Sequence, residues 1–116
     1  MNKLKPNLGE CWITNLNPTI GHEQAKIRLC LIISTNTFNH GPADLVVILP
    51  ITTKMRKIWW HVKINPPEGG LKKTSFIICN QIRTISKQRL QGKPLGKVNP
   101  KTINEIEKRI KILLEL

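Results

Sequence analysis

The sequence predicts a mainly β domain, a small barrel or strongly bent sheet, followed by one C-terminal helix. Short apolar, β-branched runs recur between residues 9 and 98, each interrupted by Gly, Pro or Asn. A sustained helical stripe of apolar residues begins only after Pro100. The 116 residues are 40% hydrophobic, enough for one core. A single domain over residues 1–116 is therefore expected, with the barrel at about 8–98 and the helix at about 100–115.

The elements follow in order. Gly9 to Leu16 alternates loosely and reads as a strand, which Asn17-Pro18 ends. A polar connection runs to about Ala25. Ile27 to Ser34 is apolar and β-branched, the mark of a central strand. Asn36 to Pro42 is a loop with room for one helical turn. Asp44 to Thr52 is the next strand, and its Pro50 points to an edge or a bulge near its end. Thr53 to Trp59 is a basic connection. Trp60 to Ile64 is a short strand stopped by the Asn65–Gly70 turn residues, and Ser75–Cys79 with Gln81–Ile85 is a strand pair or one bent strand. Ser86 can cap a short helical turn. Gln91 to Pro94 reads as a turn, and Leu95 to Val98 as a last short strand. Asn99 then stands at the N-cap and Pro100 at the first helical position. Ile103, Ile106, Ile110, Leu113 and Leu114 form one stripe, for the core or an interface.

Composition narrows the function classes. Nineteen Lys and Arg against seven Asp and Glu give a net charge of +12. Fifteen of the bases and four of the acids precede residue 100, so the excess belongs to the folded body. A polyanionic partner is expected. No run is long and apolar enough for a membrane span, and no secretory signal pattern is visible. Cys11, Cys30 and Cys79 are odd in number, widely spaced and set in apolar runs. They read as buried apolar side chains in a reduced, cytoplasmic protein, and as neither a disulfide framework nor a metal site. Phosphate-loop, dinucleotide-loop and zinc-protease motifs are absent from the sequence, and no cofactor is expected.

Several stretches concentrate chemistry. Gly21 to Arg28 carries an imidazole, a carboxylate and a guanidinium within eight residues. Lys54, Arg56 and Lys57 precede Trp59 and Trp60, which joins charge for a nucleic-acid backbone to rings for stacked bases. One of the two tryptophans should face the core, since strand neighbours point to opposite sides. Lys72, Lys73, Arg83, Lys87 and Arg89 can extend the basic track.

An ordered series of motifs resembles a known family. Gly9-Glu10 with Trp12, Leu16-Asn17-Pro18-Thr19, Gly21-His22-Glu23-Gln24, Phe38-Asn39, Pro50-Ile51-Thr52, Gly70-Leu71-Lys72-Lys73 and Gln81-Ile82-Arg83-Thr84-Ile85 look like the MazF/PemK/Kid-type toxins of toxin–antitoxin pairs. The likeness covers nearly the whole chain. It implies an SH3-like barrel with a C-terminal helix that forms a homodimer. It also implies a metal-independent, sequence-specific endoribonuclease that cuts single-stranded RNA, chiefly mRNA, and is silenced by an acidic, partly disordered antitoxin. The family's reactive arginine and threonine map onto Arg28 and Thr52, and Glu23 onto a supporting glutamate. Two positions depart from the family pattern. Leu29 replaces a common proline, and Asn80 replaces an aspartate that some members use in catalysis. An amide cannot accept a proton in that way.

Metal-free RNA cleavage uses the neighbouring 2′-hydroxyl as nucleophile and leaves a 2′,3′-cyclic phosphate and a 5′-hydroxyl. Arg28 suits stabilisation of the phosphoryl oxygens, since its planar fork stays charged. Thr52 can donate to a nonbridging oxygen, while Thr53 points to the opposite face unless a bulge at Pro50 exchanges them. His22 and His61 both have an intrinsic pKa suited to a base, and the base role is expected of His22 or Glu23. Thr53, Lys54, Arg56, Lys57, Trp59, His61, Gln81 and Arg83 are expected to bind RNA. The alternatives are a toxin that binds without hydrolysis, as CcdB-type gyrase poisons of this fold do, and an inactive homologue.

Overall fold

The computed structural model describes residues 5–17 and 26–116. Seven strands form one antiparallel sheet: β1 (Glu10–Asn15), β2 (Ile27–Ile32), β3 (Leu45–Thr52), β4 (His61–Ile64), β5 (Ser75–Ile78), β6 (Arg83–Ser86) and β7 (Leu90–Lys97). The short helix α1 (Asn36–Asn39) lies between β2 and β3, and α2 (Pro100–Leu114) ends the chain. The strand order is β4-β5-β3-β2-β1-β7, with β6 also paired to β3. Among the described residues β4 and β7 are not paired to each other, so the barrel-like sheet stays open.

The sheet buries both faces. Leu31, Leu49, Ile51, Val62, Ile64 and Ile77 pack with Cys11 and Cys79 under Ile106 of α2. Trp12, Cys30, Ile32, Val46, Ile48 and Ile85 form a second cluster on the other side. Period-2 alternation sorts neighbours between the two. All three thiols are fully buried and form no disulfide, and burial pushes Cys79 up to about 11. They are the small buried apolar groups the sequence suggested, inert at neutral pH.

Several motif residues turn out to be structural. Gly9 has φ +90°, a backbone that only glycine adopts without strain. Glu10 Oε1 accepts from the Asn7 amide (2.7 Å) and the Trp12 indole N–H (3.2 Å), tying the chain entry to the buried ring. Asn39 is fully buried, and its Nδ2 donates to the Ser34 carbonyl (2.9 Å). Asn99 is the N-cap of α2 with Pro100 after it, but its side chain makes no capping bond. The Glu68 carboxylate instead anchors the helix start, accepting from the Asn99 amide (3.0 Å) and the Thr102 hydroxyl. A carboxylate at a helix N-terminus is favoured by the macrodipole as well.

Two local readings need correction. Pro50 lies in a central strand, paired to Cys30 of β2, and is buried. Ile33 donates to the Val47 carbonyl (2.9 Å), which places the β2–β3 ladder bonds at odd-numbered β3 positions. The missing N–H of Pro50 therefore points away from β2. On that side β6 pairs β3 through Ile48, and β5 begins pairing at Ile51. Proline fits because it stands where one partner strand has ended and the next has not begun. The second correction concerns residues 91–94, which are not a separate turn. They belong to β7, whose register against β1 jumps from Gly96↔Cys11 to Gln91↔Ile13. Gly92, at φ +69°, accommodates the excursion.

Candidate active-site cleft

The β2–β3 register brings two separated residues together. Leu29 faces Ile51, Cys30 faces Pro50 and Leu31 faces Leu49. Carried one residue further, the same register sets Arg28 opposite Thr52. Opposed Cα atoms on neighbouring antiparallel strands lie about 4.5–5.5 Å apart. Their side chains stand on one face, at the open end of the strand pair. No bulge interrupts β3 here, so Thr52 and Thr53 keep their alternation.

A cleft of about 390 Å³ opens at this point. Arg28 and Thr52 line it together with Lys54 and Arg56 from the following connection, Trp60 and His61 at the start of β4, and Asn80 and Gln81 from the β5–β6 turn. Ile58 and Ile78 supply its apolar wall. Thr52 Oγ1 accepts from the Lys54 amide (3.1 Å). That bond occupies a lone pair and leaves the hydroxyl proton to donate into the cleft. Among the described residues no carboxylate lines this space, and no group of three His, Cys, Asp or Glu could hold a metal ion.

The cross-strand pairs also account for His61. It faces Ile78 of β5, while Thr52 faces Phe76. His61 thus lies two strands from Thr52 on the same face, about 10 Å across at ordinary strand spacing. Burial, and then the nearby Arg56 guanidinium, hold its imidazole below the ordinary histidine range.

A family model described as "PemK-like, MazF-like toxin of type II toxin-antitoxin system" matches residues 7–114. The chain belongs to that family. Endoribonuclease MazF of Staphylococcus saprophyticus is 35% identical to it, over 93% of this chain and 90% of that protein. MazF from Deinococcus radiodurans shares the fold at a TM-score of 0.87 and 19% identity, covering 98% of this chain and all of the other. A mycobacterial endoribonuclease in complex with its cognate antitoxin is 29% identical, with a TM-score of 0.78 over 96% of each chain.

Against this PemK/MazF background the expected site residues divide clearly. Arg28, Thr52, Lys54, Arg56, His61 and Gln81 meet in the cleft. Thr53 lines a separate apolar pocket of about 250 Å³ on the opposite side, with Leu29, Leu71, Lys72 and Lys73. Arg83 Nη1 donates to the Leu16 carbonyl (2.7 Å), and Arg89 Nη1 to that of Asn15 (3.1 Å); both tie β6 and the following turn to the end of β1. Lys57 and Trp59 are exposed but do not line the cleft. His22 and Glu23 lie outside the described residues.

Trp60, one of the two rings expected beside bound bases, and Asn80, at the position where some relatives carry an aspartate, also line the cleft. Trp59 and Trp60 meet edge to face, ring centroids 5.3 Å apart. Trp60 packs against the α2-side core and also reaches the cleft, whereas Trp59 stays about half exposed. Alternation could show that one ring turns inward. It could not show which, because β4 begins only at His61.

Proposed function

We propose that this chain is the toxin of a type II toxin–antitoxin pair and a metal-independent endoribonuclease. It cleaves single-stranded RNA, mRNA above all, at defined sequences. The observation that carries this reading is the facing of Arg28 and Thr52 in a cationic cleft, within a family whose relatives are named endoribonucleases. Arg28 holds two phosphoryl oxygens and stabilises the charge that gathers on them. Thr52 donates its hydroxyl to one of the same two nonbridging oxygens. Lys54, Arg56 and Gln81 hold the flanking backbone and bases, and the Trp60 ring edges the same space. Lys57, Trp59 and Arg83 act at the margins of this surface, Glu23 supports it, and Thr53 meets RNA from the separate pocket beside Lys72 and Lys73. The 2′-hydroxyl displaces the 5′ oxygen, leaving a 2′,3′-cyclic phosphate. DNA, without that hydroxyl, is spared.

The partners follow from the surface. A net charge of +12 suits an acidic, partly disordered antitoxin that folds as it binds. The mycobacterial relative's complex with its antitoxin supports the same pairing. Ile112, Leu114 and Leu116 leave apolar surface exposed at the end of α2, which suits a homodimer. Among the described residues no helix is long and apolar enough to cross a membrane, and the protein acts in the cytoplasm, where its RNA is.

The test is purified protein with a long transcript in excess chelator. Discrete fragments ending in cyclic phosphate are expected. Intact RNA of retarded mobility would mean binding alone and end the nuclease reading. Binding should also be salt-dependent. Lys54→Ala is expected to reduce the slope of log affinity against log salt by about one. An unchanged slope would remove Lys54 from phosphate contact.

A further inference from the structure

Among the described residues the cleft holds phosphate-binding groups in plenty but no carboxylate to accept a proton. Arg28, Lys54 and Arg56 are cations, Thr52 is a weak acid, and Asn80 and Gln81 are amides. The aspartate that some relatives carry is Asn80 here. Among the described lining residues His61 alone can take up and release a proton near neutral pH.

We propose that His61 accepts the 2′-hydroxyl proton in this cleft. The inference rests on the endoribonuclease reading above and deepens it. Nδ1 of His61 is buried and has no hydrogen-bond partner among the described residues, which leaves Nε2 as the nitrogen that can meet a ligand. The cations that line the cleft disfavour a charged ring, so the resting ring is neutral. Either neutral tautomer leaves Nδ1 unpaired, as a buried N–H or as a buried lone pair. No fixed partner therefore locks the ring proton, and the form with a lone pair on Nε2 is reachable.

The surroundings point the same way. Arg28 faces the cleft from β2, and Lys54 and Arg56 from the connection after β3. Lys63 stands two residues on along β4, and Arg109 of α2 donates to the Trp59 carbonyl (2.8 Å) while paired to Glu105 (3.4 Å). This field is predominantly positive and keeps the free ring unprotonated. When negative charge gathers on the phosphoryl oxygens, the imidazolium becomes favourable at that moment. The step balances: O2′ bonds to phosphorus, the P–O5′ bond breaks, the O2′ proton passes to Nε2 and O5′ takes one from solvent. Loss of the imidazolium proton to solvent closes the cycle.

The test uses the full chain and an oligoribonucleotide spanning a mapped cut site, in chelator, under single turnover. For the native protein the rate should rise with pH through one step lying below about 6.5 and then level off. His61→Gln should lower the plateau by at least about 10²-fold and abolish the step. Affinity for the same oligonucleotide with a 2′-deoxyribose at the cut should fall far less than the rate, since the proton transfer acts on an oxygen that this ligand lacks. Added imidazole should restore part of the rate of His61→Ala. His61→Asn serves for comparison if the glutamine variant loses its cooperative melt.

A fall of less than tenfold with the pH step intact would overturn the proposal while leaving the nuclease reading in place. A parallel loss of affinity for the deoxy oligonucleotide would do the same, making His61 a binding residue. Failure of the native protein to cut any RNA would overturn both.

Discussion

Replacing Arg28 by alanine is expected to lower single-turnover RNA cleavage by at least about 10²-fold, the usual cost of losing an anion-stabilising donor. The side chain is exposed at the start of β2, where no core packing depends on it. Melting of the variant should therefore match the native protein, and the loss should fall on the chemical step. Arg28→Lys should recover little of it. An ammonium is a point charge and cannot place two parallel N–H groups on a phosphate as the guanidinium does. Rates with a saturating oligoribonucleotide, beside a melt of each variant, decide the matter. A fall of less than tenfold would exclude Arg28 from the reaction.

The second large effect falls on stability, far from the cleft. Gly70→Ala is expected to cost at least about 3 kcal/mol, since it combines a strained backbone with a steric clash. Gly70 has φ +72°, and a Cβ there would lie 2.0 Å from the Leu95 carbonyl oxygen. A Cβ on Gly96 would come within 2.5 Å of the Gly70 amide, so the two backbones are pressed together with no side chain between them. Gly92 is the control. Its φ is +69° but nothing lies within 4 Å of the added carbon. Gly92→Ala should therefore cost only the left-handed backbone penalty, about 1–2 kcal/mol. Urea midpoints at constant slope measure both. Equal losses at the two positions would mean that the close approach at Gly70 contributes nothing.

These two sites differ in how readable they are. Helix α2 was legible from its stripe and its Asn99-Pro100 start, because both signals are local. Strands β2 and β3 were legible from composition alone. Their mutual register was not, since Arg28 and Thr52 are separated by a loop, a helical turn and most of a strand. Family likeness supplied the pair, and the register supplied the reason they meet. Pro50 misled because a proline argues against a central strand unless the neighbour changes at that very residue. The 91–94 excursion misled because turn chemistry and strand pairing coexist in β7. Lys57 and Arg83 have the same composition signal as Lys54 and Arg56. Only loop conformation decides which cations turn to the cleft.

The proline in β3 carries a wider implication. Where β6 leaves off and β5 takes over, the sheet forks, and the chain crossing between the prongs delivers Asn80 and Gln81 to the cleft proposed for RNA. An amide hydrogen at residue 50 would invite a third strand to zip across that gap. The proposed berth thus adjoins a backbone position that has no hydrogen to offer a further strand. It comes into being with the strands themselves, so assembling the sheet and assembling the catalytic groove are one event.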